Sequence, residues 1–401
     1  MTEIFTGLFT QQEPIPEEGI AAANVVMQHG RLHRYNTVDG EIAEVAMLEE
    51  EFAQATGADY CLAVASGGYA ITTALRACGV GQGDRVLTNA FTLAPVPGAI
   101  AAVGGVPIYV GVTEQLVIDL DDLANKLDQA DVLLLSHMRG HICDMERLMA
   151  LCNAANVTVV EDCAHTMGAS WEDIPTGRWG RFGCFSTQTY KHINSGEGGL
   201  LISNDAEAMA RAIMLSGSYM MFERHRAAPT ASVFAQIKYE TPNISGRMDN
   251  LRAAILRPQL RHLAEQSAKW NARYDVVANG LAETPGLTLV GRDAGEKFVA
   301  SSFQFLLLDW DEAAISEVIS RCARRGVELK WFGAAEPVGF TSRYDSWRYA
   351  PSEPMPATDR VLASIVDMRL PLTFSLEDCA MIARIIRAEV SAVFQSNAVQ
   401  P

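Results

Sequence analysis

DVLLLSHMRGHICDMERLMALCNAANVTVVEDCAH, residues 131–165, decides the fold. DVLLLS (131–136) and VTVVED (157–162) are short apolar runs, and 144–154 between them has helical spacing. Two buried strands joined by a helix pair in parallel, because the crossover returns the chain to the same end of the sheet. The pattern extends toward the N-terminus. YCLAVA (60–65), RVLTN (85–89) and VPIYV (106–110) read as strands, with helical stretches at 69–78, 96–103 and 119–128. Toward the C-terminus, FGCFST (182–187) and GLLIS (199–203) are two more strands joined by a short loop, which breaks the alternation. The expectation is an α/β chain whose mostly parallel sheet is covered on both faces.

The outer segments complete the division. Residues 1–35 read as an irregular arm, and 41–57 as a helix capped by Gly57. Arg247 to Leu281 reads as one long helical region with Pro258 as a kink. SSFQFLLL (301–308), a helix at 312–325, VELKW (327–331), MRLPL (368–372) and a last helix from Leu376 form a smaller α+β pattern. The expected division is 1–265, arm plus large domain, and 266–401, small C-terminal domain.

Composition narrows the function. Of 401 residues, 49% are apolar, which excludes a disordered chain. The net charge of −16 excludes a general nucleic-acid binder, which needs a cationic face, but leaves room for a local basic pocket. The eight cysteines form no CxxC pair and fall in apolar runs, as expected of reduced core thiols rather than disulfides or a metal site. The first residues lack a signal peptide's basic start and apolar core. Val86–Thr113 carries no charge, yet prolines and glycines interrupt it too often for a membrane span. A cytoplasmic protein that binds no membrane is expected.

Three pieces carry chemistry. VVEDCAH ends a strand with Glu161, Asp162 and His165, where open α/β sheets bind ligands. GCFSTQTYKHINSGEGG (183–199) places Lys191, one of only six lysines against 26 arginines, between two apolar strands. A lysine near apolar walls and another cation can lose its proton and act as a nucleophile. ASGGYAITTAL (65–75) runs from a strand through Ser66, Gly67 and Gly68 into a helix, a start that offers backbone N–H groups to an anion. Taken singly, Asp162 also fits a helix cap, Lys191 a hairpin lysine and the glycines an ordinary turn. Together, a phosphate cradle, a strand-end acid and a later lysine describe a site for pyridoxal 5'-phosphate.

These residues resemble the sugar aminotransferase family, the DegT/DnrJ/StrS group, with the type I fold of pyridoxal-phosphate-dependent transferases. The resemblance runs from about Glu41 to Leu260 and rests on the order of ASGGYAITTALRACGVGQGDRV, LLLSHMRGHICDM, VVEDCAHTMGAS, GCFSTQTYKHINSGEGGLLISND and GRMDNLRAAILRPQL. It implies that Lys191 is the Schiff-base lysine and proton shuttle, that Asp162 pairs with the pyridine nitrogen, and that His165 contacts the ring face or its 3-oxygen. It further implies that Ser186, Ser66, Gly67 and Gly68 hold the phosphate. Asn243 or Ser245 would reach the phosphate across a homodimer with shared sites, and Arg247 would bind substrate there. The implied partners are an amino donor, glutamate or glutamine, and a keto-sugar or cyclitol ketone.

Several positions depart from the family pattern. Gly68 replaces a threonine, Leu93 stands where an aromatic ring often stacks, and Ser245 stands where asparagine is usual. His192 follows the lysine in place of asparagine, and 330–347 matches no family pattern. That segment reads either as an acceptor pocket or as small-domain core. A small non-sugar carbonyl acceptor is therefore an alternative. A dehydratase or lyase, whose family members replace the lysine with histidine, and a non-catalytic binding protein rank lower, because Lys191 and Asp162 are both present.

Overall fold

The computed structural model describes residues 3–398. Its central sheet has seven strands: β1 (Tyr60–Val64), β2 (Arg85–Asn89), β3 (Val106–Val110), β4 (Val132–Ser136), β5 (Thr158–Asp162), β6 (Phe182–Ser186) and β7 (Gly199–Ser203). The spatial order is β1-β7-β6-β5-β4-β2-β3. Only β7 runs antiparallel, to β1 on one side and β6 on the other. Every residue of β4, β6 and β7 is buried. Helices cover both faces, so period-two alternation sends Leu134 and Val160 into one core and Leu133, Leu135 and Val159 into another. The expected α/β architecture with a mostly parallel sheet is observed.

A second, antiparallel sheet follows: β8 (Thr288–Leu289), β9 (Ser302–Leu306), β10 (Lys330–Trp331) and β11 (Ile365–Arg369), in the order β8-β9-β11-β10. One face places Phe303, Phe305, Val366 and Met368 in an apolar cluster with the last helix. The register pairs Ser302 with Arg369, and Gln304 and Lys330 with Asp367, on the opposite face.

Four expectations need correction. The arm is not irregular throughout: α1 (Glu17–His29) lies within it, closed by Gly30 at φ 72°. Phe5 and Phe9, in the arm's first residues, join the second core, edge-on to Phe374 at 4.9 and 5.0 Å. The long helical region is two helices, α4 (Asn250–Arg261) and α5 (Leu263–Leu281), which meet at His262 rather than at Pro258. Proline removes one backbone donor, and α4 continues for three residues beyond it. The strand expected at 368–372 lies at 365–369; Pro371 cannot extend it, and buried Asp367 interrupts the apolar signal that marks its start. The helix expected over 119–128 is five residues long, Leu120–Ala124, followed by a single 3₁₀ turn.

Candidate active site

The ends of β1, β2, β4, β5 and β6 open onto one cavity of about 520 Å³. Carboxyl ends of parallel strands are where this architecture leaves room for ligands, since the loops there splay apart while the sheet stays packed. Ser66, Gly67, Gly68, Leu93, Asp162, His165, Ser186 and Lys191 all line it. Arm residues Gln12–Pro16 form part of its wall.

The helix that starts at Gly67 is capped by Ser66, whose Oγ accepts from the Tyr69 amide at 3.1 Å. A Cβ on Gly67 would stand 2.8 Å from the Ser186 Cβ, so glycine lets this helix start close against the end of β6. At Gly68 a Cβ would meet nothing nearer than the Ser66 Oγ at 4.0 Å. The missing threonine at Gly68 therefore reflects no lack of space. Unpaired N–H groups of the first turn and two serine hydroxyls face the cavity together, a setting that favours an anion.

Asp162 is buried at the end of β5. Its Oδ2 accepts from the Ser136 Oγ at 2.9 Å and its Oδ1 from the Ala164 amide at 3.1 Å. Thr92 Oγ1 donates to the same Ser136 oxygen at 2.8 Å, and Asn89 holds the Ser136 backbone from both sides. The hydroxyls form a directed chain ending on the carboxylate. Burial raises the Asp162 pKa, while the Ser136 and Ala164 donors and the Lys191 charge oppose the rise. An ionised carboxylate held this way gains from any cationic N–H brought to it.

Lys191 Nζ lies 2.7 Å from His165 Nε2. The Arg139 amide donates to His165 Nδ1 at 3.3 Å, so that nitrogen carries a lone pair. A neutral ring then bears its proton on Nε2 and can donate it to Lys191 whenever that amine is unprotonated. Electrostatics agree. Burial, then the neighbouring Arg139 and Arg369 charges, lower Lys191 to about 7, against the pull of Asp162. Burial, then the Lys191 and Arg139 charges, hold His165 well below its ordinary value. Lys191 is thus poised as a nucleophile near neutral pH.

Other predicted residues are placed differently. Glu161 points away from the cavity, where its carboxylate accepts from the Gly177, Trp179 and Gly180 amides and from His137 Nε2 at 3.0 Å. His137, Glu161 and Cys163 lie close enough to share a metal ion, but those four contacts already occupy the carboxylate. Asn243, Ser245 and Arg247 do not line the cavity of their own chain. Arg247 donates to the Gly217 carbonyl at 2.6 Å and lies over the Tyr219 ring. His192 is buried in the cavity wall, edge-on to Trp270 at 5.2 Å. Within the 330–347 segment, Lys330, Phe340 and Trp347 line the cavity, while Phe332 and Tyr344 pack in a core.

Sequence reasoning missed Ser136, Arg139, Lys330, Asp367 and Arg369. Arg139 carried a signal, as the only lysine or arginine between Asp131 and Asp144, just past a strand end. Arg369 fell inside a stretch read only as a strand of the small domain, and Lys330 was not singled out within the 330–347 segment.

The family model for the DegT/DnrJ/EryC1/StrS aminotransferase family matches residues 15–387. The chain is 29% identical over 272 residues to L-glutamine:2-deoxy-scyllo-inosose aminotransferase of Micromonospora echinospora, covering 67% of this chain and 64% of that protein. It is 29% identical over 218 residues to GDP-perosamine synthase of Escherichia coli O157:H7, covering 54% of this chain and 57% of that protein. The chain thus spans less than two thirds of the length of these curated relatives. The crystal structure of 3-amino-5-hydroxybenzoic acid synthase superposes with a TM-score of 0.82 over 98% of this chain and 100% of that one, at 24% identity, a likeness of fold.

Proposed function

This chain belongs to the DegT/DnrJ/EryC1/StrS aminotransferase family, and from that premise we propose that it is a pyridoxal-phosphate-dependent aminotransferase. It would move an amino group from glutamate or glutamine to a ketone or aldehyde, of the keto-sugar or cyclitol kind that the relatives' names carry. The observation that carries the reading is the placement of Lys191 Nζ, 2.7 Å from His165 Nε2, in the cavity that Asp162 also lines.

The residues fit the cofactor. Ser66, the first-turn amides at Gly67 and Gly68, and Ser186 would hold its phosphate, Asp162 its ring nitrogen, and Lys191 its aldehyde carbon. Leu93 and His165 line the space left for the ring. When bound, the cofactor supplies an electron sink for the carbon next to the transferred nitrogen. Asp162 keeps the ring-nitrogen proton in place. Lys191 Nζ takes the proton from the donor's α-carbon and returns it on the far side of the transfer. His165 Nε2–H holds the amine in line.

The working unit would be a homodimer with shared sites. Tyr219, Met220 and Ile244 are exposed beside Asn243 and Ser245, an apolar surface suited to a second copy. Among the described residues no helix is long and apolar enough to cross a membrane. All eight cysteines are free, as suits the reducing cytoplasm where we place the protein.

The test is spectroscopic. Glutamate or glutamine should bleach the holoenzyme's visible band, and an acceptor from a panel of keto-sugars, inosose-type ketones and small aldehydes should restore it. A band that no amino acid bleaches would overturn the reading.

A pH prediction follows from Lys191. Only its unprotonated amine can bond to an aldehyde, so uptake of added cofactor by the cofactor-free protein should rise with pH through a midpoint near 7, where the environment places that amine. An ordinary lysine would place the midpoint above 10. Stopped-flow absorbance between pH 5.5 and 9 checks this.

A further inference from the structure

The face of the second sheet opposite its apolar core is polar, and its Ser302, Lys330 and Arg369 line the cavity. Asp367 Oδ1 accepts from Gln304 Nε2 at 2.7 Å, and its Oδ2 lies 2.8 Å from Arg139 Nη2. Lys330 pairs with Asp367 across the strands and lies over Phe340. The Arg369 guanidinium lies 3.2 Å from the ring centre of Tyr190, the residue before Lys191. Arg139 holds φ 56°, a left-handed conformation that disfavours every residue but glycine, and its buried Nε finds no partner among the described residues.

Three cations thus meet one carboxylate at the site, in a chain whose net charge is −16. Asp367 bridges the buried Arg139, while the half-buried Lys330 and Arg369 form no salt bridge among the described residues, which leaves two positive charges facing the cavity. The start of the helix at Gly67, with Ser186, lies at other strand ends and is reserved for the cofactor's phosphate. This second cluster is free for substrate.

We propose that Arg139, Lys330 and Arg369 form a substrate-anion subsite, and that a substrate reacting at Lys191 brings two negative charges to it. The inference rests on the aminotransferase reading and sharpens it. Two sources supply such a group: a dicarboxylic amino donor, hence glutamate in preference to glutamine, or a phosphate-bearing acceptor. Guanidinium forks suit the oxyanions of either.

The test uses the holoenzyme with Lys330→Gln and Arg369→Gln, because Arg139→Gln leaves Asp367 unpaired and can fail to fold. Malonate and inorganic phosphate, which cannot react, are titrated by calorimetry. L-glutamate and L-glutamine are titrated by the visible band. Malonate should bind, and glutamate should half-saturate at roughly a tenth of the glutamine concentration, a ratio that one charged hydrogen bond supplies. Each variant should weaken malonate and glutamate by roughly 10–100-fold and glutamine by several-fold less, while Arg369→Lys restores part of the loss. Equal response to glutamate and glutamine, with phosphate binding lost in the variants, assigns the charge to the acceptor and keeps the subsite. Folded variants that bind malonate, phosphate and glutamate as the parent does would overturn it. Variant-sensitive malonate binding without bleaching by either amino acid would instead fault the aminotransferase reading.

Discussion

Lys191→Ala is expected to lower transamination by roughly 10²–10⁴-fold, the range that a positioned proton-transfer group supplies. The amine does two jobs here, covalent attachment and proton transfer, and no other lysine shares the segment between β6 and β7. His165 is a poor substitute, because burial and nearby cations hold it far from protonation at neutral pH. Lys191→Arg keeps roughly the length but stays protonated and can do neither job, so it should be as inactive as alanine. Stability should change little in Lys191→Ala, since removing a buried amine removes its desolvation along with one hydrogen bond to His165. Steady-state rates with glutamate and a responsive ketone measure the effect. Turnover within about tenfold of the parent would remove proton transfer by Lys191 from the mechanism.

The second large effect is expected at Asp162→Asn: a loss of roughly 10²–10³-fold in kcat, as when a single preorganised electrostatic group is removed. The amide keeps the shape, but its single oxygen can accept from only one of the Ser136 and Ala164 donors, so the Ser136 hydroxyl must turn to meet its NH2. Stability should move the other way. Folding raises the Asp162 pKa, so at neutral pH the ionised group opposes folding, and that opposition fades as pH falls through the raised value. Asparagine removes it at every pH. The cofactor-free variant should therefore melt at or above the parent temperature at pH 7, and the difference should shrink toward acid. A variant with lowered stability and normal kcat would assign Asp162 a structural role only.

The sheet was legible because strands buried on both faces leave near-continuous apolar runs, and five of the seven alternate with helical spacing. Asp162, His165 and Lys191 were legible because polar residues at the ends of such runs need a reason. The second sheet was harder to see. Its polar face puts Gln304, Asp367 and Arg369 where a strand pattern calls for apolar residues, and β10 is only two residues long. The hydroxyl chain from Thr92 through Ser136 to Asp162 was hidden because it joins the ends of three strands far apart in sequence. The arm was misread because its order comes from long-range packing: Phe5 and Phe9 find Phe374, and α1 lies on α4.

That arm works like a belt. One end is buckled into the small-sheet core by two phenylalanine rings, the other is laid along the helix after the large sheet, and the span between them borders the reaction chamber. Its first few residues therefore share the fate of the catalytic mouth, and shortening the chain at that end would loosen two halves of the molecule together.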